Sequence, residues 1–160
     1  MPEHLEEPYF DLLNVYDGFE IRRYYQTVNA VTKIMKKGIE GDSIGFRRIA
    51  SYIFGKNSLN YNIAMTAPVQ VLHNEEYQLM SFTMPSKYDI SDLPKPIDES
   101  VEIIINPENT VAVLQFSGLA GRRKTDKLVK KLQNKIRMQG LEYSENFTVA
   151  RYDKPTTLPF

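Results

Sequence analysis

Residues 45–71, GFRRIASYIFGKNSLNYNIAMTAPVQV, decide how the rest of the chain is arranged. Phe46, Ile49, Ala50 and Ile53 fall at i, i+3, i+4 and i+7, one apolar stripe of an amphipathic helix. Asp42 or Ser43 is placed to cap its start. Gly55 is placed to end it, because glycine enters the left-handed region without a Cβ penalty. Residues 57–60 then turn the chain into an extended run, 61–66, which Pro68 stops. Pro68 has no backbone donor and belongs at a strand edge or a bulge.

Outward from this stretch, one succession of signals occurs twice. Glu20-Ile21 heads a strand, 28–31 form a second, Gly38 follows, and a helix ends at Gly55. Glu102-Ile103 heads a strand, 111–113 form a second, Gly118 follows, and a helix ends at Gly140. The offset runs from 80 (Gly38 to Gly118) to 85 (Gly55 to Gly140), with 82 between Glu20 and Glu102. Strand, strand, helix, strand repeated in this way predicts one α+β domain over 1–160. Its halves, about 9–84 and 97–158, are related by a pseudo-twofold axis and joined by a proline-rich crossing, 85–96. His73, Asn74 and Glu75 read as a hairpin turn between 68–72 and 77–83, and 1–8 as a polar leader mobile at its tip.

The same residues carry a family resemblance. Gly45-Phe46, Tyr52-Ile53, Gly55, Asn57 and 63–69 (IAMTAPV) resemble the signature of the SOUL haem-binding family. Phe19-Glu20-Ile21-Arg22 with Tyr24, then 82–85, Leu93-Pro94 with Pro96, Phe116-Ser117-Gly118, and Ala150, Tyr152 and Pro155 match in the same order. The resemblance implies a distorted antiparallel β-barrel flanked by two helices, and a tetrapyrrole ligand. The family usually continues past the final proline-rich turn with an Arg-Asn-Glu segment and a closing strand. That strand is absent from this sequence, so the expectation is either an open strand edge for a partner or a second copy, or a sequence that is a shortened piece of a longer chain.

Composition narrows the function. Twenty cations balance twenty anions, so the molecule as a whole has no bias toward nucleic acid or membrane. The absence of cysteine excludes disulfides, thiolate catalysis and thiolate metal sites. No apolar run approaches the ~18 residues of a membrane span, and Glu3, Glu6 and Glu7 do not suit a signal peptide, so a cytoplasmic protein is expected. No phosphate-binding glycine loop, G-x-S-x-G elbow or histidine proton network is present, so no enzyme is expected. Glu20 and Glu102 occupy equivalent positions and can pair as carboxylates, or face solvent.

The candidate binding residues follow from alternation and aromatic content. Phe19, Ile21, Arg23 and Tyr25 share one face of the first repeat strand, where the second half has Val101, Ile103 and Ile105. Arg23 is therefore either an inward cation able to hold a carboxylate or a strand-end residue snorkelling to water. Some family members carry a histidine there, proposed as a haem ligand. His4 and His73 lie in the leader and a turn, so the resemblance implies a non-covalent haem held by apolar contacts and by cations on its propionates. Phe46, Tyr52, Tyr61, Met65, Phe82, Phe116 and Tyr152 are the expected walls of a groove for a flat ligand, or else parts of a closed core. Arg47, with Arg48 beside it, lies off the helix stripe and within reach of a propionate.

From Arg122 to Gln139 eight cations face Asp126 alone, with Leu128, Leu132 and Ile136 on the buried side. Such a stripe is a solvated surface or a contact for an anionic partner. Three functions stay open: a haem or tetrapyrrole carrier or buffer, a small-molecule effector module resembling the bacterial drug sensors, and a protein-interaction module.

Overall fold

The computed structural model describes residues 5–35, 38–118 and 121–152. The chain runs β1 (Phe10–Tyr16), β2 (Phe19–Tyr24), β3 (Thr27–Ile34), α1 (Gly38–Ile53), β4 (Val69–His73), β5 (Gln78–Thr83), β6 (Val101–Asn106), β7 (Asn109–Val113), α2 (Arg122–Met138) and β8 (Phe147–Arg151). The strands form two antiparallel sheets, ordered β1-β2-β7 and β6-β3-β5-β4-β8. The α+β class is as expected, but the barrel is not closed. Among the described residues β7 and β8 each pair on one side only, so no ladder joins them.

The sheets are coupled by continuous register. β2 and β3 run as one bent ribbon against β7 and β6: Tyr24 faces Asn109, and three residues along each chain Thr27 faces Asn106. The bend falls at Tyr25-Gln26 and Pro107-Glu108, where Pro107 has no N–H to give a ladder. β1 was not legible in the sequence. Its pairing with β2 slips between Leu12 and Asn14, and Leu12, Leu13 and Val15 are exposed, so no clean alternation marks it.

α1 lies on the larger sheet. Ile49, Tyr52 and Ile53 bury against Ala30, Ile34, Val69, Val71, Met80 and Phe82. Gly45 permits the close approach, since a Cβ there would lie 2.5 Å from Ile34 Cδ1. The helix starts a turn earlier than its sequence signals suggest, so Asp42 is not a cap. It is buried, accepts from Gln78 Nε2 at 2.9 Å, and faces Arg151 Nη2 at 3.9 Å. Gly55, with φ +120°, ends the helix as expected.

The run 61–66 is not a regular strand: only Asn62, opposite Phe54, and Thr66, opposite Glu6, make bridges. Thr66 Oγ1 donates instead to Thr83 O at 2.5 Å. The buried Asn57 takes the other end. Its Nδ2 donates to Tyr52 O (2.8 Å) and Tyr61 O (2.9 Å), and its Oδ1 accepts from Leu59 N (3.3 Å) and Tyr61 N (3.0 Å). The leader is also anchored within its described part: Ala67 N donates to Glu6 O at 2.9 Å, and Ser86 N to Glu6 Oε2 at 3.0 Å. The hairpin of β4 and β5 turns at Asn74, whose Oδ1 accepts from Glu76 N and Tyr77 N.

Replacing Asn57 by Ala strands two carbonyls and two amides at the end of α1. We expect Asn57→Ala to cost about 2–4 kcal/mol, read as a lower urea midpoint with unchanged slope.

Candidate functional site

One cleft of about 240 Å³ opens beside α1, lined by Arg48, Ser51, Tyr52, Lys56, Ile97 and Asp98. Helical spacing explains half of it, since Arg48, Ser51 and Tyr52 are i, i+3 and i+4 and share one face. The opposite wall is the end of the proline-rich crossing, which is pinned to the helix. Tyr52 Oη donates to Pro94 O at 2.7 Å, Ser58 N to Lys95 O at 2.9 Å, and Lys95 N to Ser58 Oγ at 2.9 Å.

The charges at this cleft are fixed by their neighbours. Arg48 Nη1 donates to Thr32 Oγ1 and to Lys33 O, both at 3.2 Å, which orients the guanidinium. Asp98 accepts from Ser100 Oγ at 2.6 Å and Ser100 N at 2.8 Å. These bonds, with a weaker contribution from the Arg48 charge, hold its carboxyl below the usual range. Two cations, one carboxylate and an apolar side chain 67% exposed, Ile97, thus face the opening.

Of the residues expected to bind, Tyr52 lines this cleft, as does Arg48, named beside Arg47 as within reach of a propionate; Tyr52 itself is 1% exposed. Phe46, Met65 and Phe82 are core: Phe82 is buried, with its ring centroid 5.8 Å from that of Phe46, and Met65 packs on the same cluster. The expected groove between halves is therefore filled by the protein's own side chains. Among the described residues no closed barrel encloses a lumen, and the apolar stripe of α1 seats directly on the larger sheet. Arg47 is exposed and outside the cleft, while its neighbour Arg48 is in it.

The remaining candidates are dispersed. Tyr61 is half exposed in the Asn57 loop, and Phe116 lies under Lys124, whose Nζ is 5.4 Å from the ring centroid. Arg23 is committed to Asp11 (2.7 Å) and Glu108 (3.5 Å) at the surface. Its neighbour Arg22 is the buried cation, which alternation from Phe19 placed on the other face. Arg22 lies 4.2 Å over the Phe10 ring, reaches Tyr24 Oη at 2.8 Å and pairs with Glu20 at 3.3 Å. Burial works against its charge, but the bonds to Glu20 and Tyr24 outweigh that and leave its pKa raised. Tyr152 joins this cluster through Tyr24, and burial, then Tyr24, pushes its hydroxyl up to about 12.

Nothing here builds a metal centre among the described residues: no group of three or more His, Asp or Glu comes together. His73 stacks on Phe147 with centroids 4.8 Å apart, Met80 and Met84 are buried, and His4 lies outside the described residues. Glu20 and Glu102 do not meet as a pair, since Glu20 is on β2 with Arg22 and Glu102 is exposed on β6, opposite Val31.

The cleft sits on the helix and loop that carry the diagnostic residues, and a family model described as SOUL heme-binding protein matches residues 5–160. The chain belongs to the SOUL haem-binding family. Heme-binding protein 2 of Homo sapiens is 30% identical over 152 residues, spanning 88% of this chain and 73% of that protein. Heme-binding protein 2 of Mus musculus matches to the same extent, 30% over 152 residues. In this SOUL chain the motif residues Gly45 and Asn57 act structurally, by seating α1 and closing its end. The site residues Lys56, Ile97 and Asp98 escaped the sequence reading because they meet only when the crossing docks on the helix. No helix among the described residues is long and apolar enough to cross a membrane.

Burial pushes the Tyr52 hydroxyl up to about 12. The unfolded chain ionises near pH 10 and the native one later, so stability falls as pH rises from about 10 to 12. We expect wild type to lose on the order of 2–3 kcal/mol across that window beyond the loss in Tyr52→Phe, measured by urea unfolding of both proteins.

Proposed function

We propose that this chain binds haem or a related tetrapyrrole non-covalently as a cytosolic carrier or buffer, with no histidine on the iron and no reaction catalysed. The observation that carries this is the pair Arg48 and Lys56 flanking exposed Ile97 on a rim anchored by Tyr52 and Ser58. The residues fit the group. A tetrapyrrole with two carboxylates and an apolar plane matches two cations and an apolar platform. Arg48 and Lys56 hold the carboxylates, and Ile97 covers part of the plane.

The cleft is shallow, so it grips an edge of the macrocycle. Its apolar lining is small, so at about 25 cal/mol per Å² apolar contact contributes on the order of 1–2 kcal/mol before association costs. Charge pairing adds about 1 kcal/mol each for half-buried Arg48 and exposed Lys56, a balance that suits reversible loading. The pseudo-twofold relation of the two halves belongs to the same proposal, supported by the unbroken register of their ribbons. A strand partner or second copy at the open edges of β7 or β8 is proposed with it.

The effector-module reading has less support, because it needs a buried carboxylate for organic cations, and both candidates are already engaged, Glu20 by Arg22 and the buried Asp42 by Gln78 and Arg151. Haemin and iron-free protoporphyrin titrations, followed by the Soret band, test the carrier reading. We expect similar affinities for both, about fivefold weakening in Arg48→Ala and in Lys56→Ala, tightening in Asp98→Asn, and no change in Arg23→Ala. Binding that requires iron, or survives both cleft substitutions together, rejects it.

A further inference from the structure

α2 carries a charge arrangement that folding does not explain. Arg123, Lys127, Lys130, Lys131 and Arg137 are all exposed and fall within one arc of the helix, with Asn134 and Met138 between them. The opposite side, Leu128, Leu132 and Ile136, is turned to the protein, and Ile136 alone is fully buried. None of the five takes part in an ion pair among the described residues. Lys124 and Lys135 reach back to the body, to Ser117 O at 2.6 Å and Asp17 O at 3.3 Å. Arg137 donates to Asn134 and lies 6.0 Å over the Tyr143 ring, so Arg123, Lys127, Lys130 and Lys131 form the set without such contacts among the described residues.

The start of the helix adds a second anomaly. Arg122 and Arg123 occupy its first turn, no acidic residue offsets them, and Gly121 supplies no side-chain cap. Cations at the positive end of a helix dipole oppose its formation. A neutral chain that keeps them there has concentrated positive charge on one helix, where Asp126, at the margin of the cationic arc, is the single acidic residue of α2.

We infer that this face of α2 docks on an anionic phospholipid surface. Shape favours that occupant over an acidic peptide. The face is convex and about 25 Å long, and a peptide needs a groove to bury its side chains. Met138, 83% exposed within the cationic arc, is an apolar side chain placed to enter the headgroup layer, while the lysines and arginines remain at phosphate level. The association is peripheral and electrostatic.

The test is sedimentation of the full chain with vesicles of phosphatidylcholine alone and of phosphatidylcholine with phosphatidylserine. We expect binding to the second only and its release by added salt. K127E/K130E/K131E is expected to lower the partition coefficient about a hundredfold or more, and K127R/K130R/K131R to keep it. Circular dichroism of both variants confirms the fold, and K127Q/K130Q/K131Q serves if charge reversal unfolds α2. Equal binding to both vesicle types, no binding to either, or a K127E/K130E/K131E variant that binds as wild type overturns the inference. Capture of soluble polyglutamate without vesicle binding also overturns it, in favour of an acidic protein partner.

Discussion

The two sheets depend on one ladder register that passes through a bend without a slip. Tyr24 opposite Asn109 and Thr27 opposite Asn106 belong to the same alignment, although they lie in different sheets. A slip of one residue turns every side chain of a ribbon to its other face. Ala30, which must be small and buried beneath α1, would then exchange with Asn29 or Val31. Arg22 would lose its place over Phe10, and a charged guanidinium would enter the face now occupied by Phe19 and Ile21. The penalty appears in both sheets at once, so each sheet fixes the alignment of the other.

Given that frame, the two helices meet different fates. α1 presses Ile49, Tyr52 and Ile53 into the core and is tied at its end by Asn57 and by the crossing. It is a rigid wall, and a side chain projecting from it, such as Arg48, is held in place. α2 buries only Ile136 fully and rests on the smaller sheet with few tight contacts. Its sequence is under little packing constraint, so its charge pattern is free to reflect what it meets outside. The stiff helix provides a pocket wall and the lightly packed one provides a surface.

The sequence was readable where local chemistry and tertiary packing agreed. The stripe of Phe46, Ile49, Ala50 and Ile53, the positive φ of Gly55 and the Asn74 turn all follow from short-range rules. It was not readable where a distant segment changed the environment. β1 pairs beside β2 and its Phe10 ring covers Arg22, so Phe19 and Arg22, of opposite parity, are both buried, and alternation no longer says which arginine is inside. Asp42 resembles a cap because the polar contacts that justify a buried carboxylate, Gln78 and Arg151, come from β5 and β8. The aromatic groove failed for a related reason. Aromatic spacing shows that side chains point the same way, but not whether they enclose a space or fill it.

The cleft itself poses an electrostatic question that its residues answer. Arg48 and Lys56 in one opening repel each other when nothing is bound, and Asp98 offsets that repulsion. Ser100 keeps the Asp98 carboxyl ionised well into acid, so the offset does not vary near neutral pH. An arriving dicarboxylate must compete with this built-in counter-charge, which lowers its affinity but leaves the empty site folded and soluble. A receptor meant to hold its guest permanently gains nothing from such a residue. Under the proposed carrier role, two cations and one carboxylate leave one net positive charge in the empty cleft and one net negative charge with a dicarboxylate bound. Neither state accumulates a large charge, and exchange needs no large movement of the anchored rim.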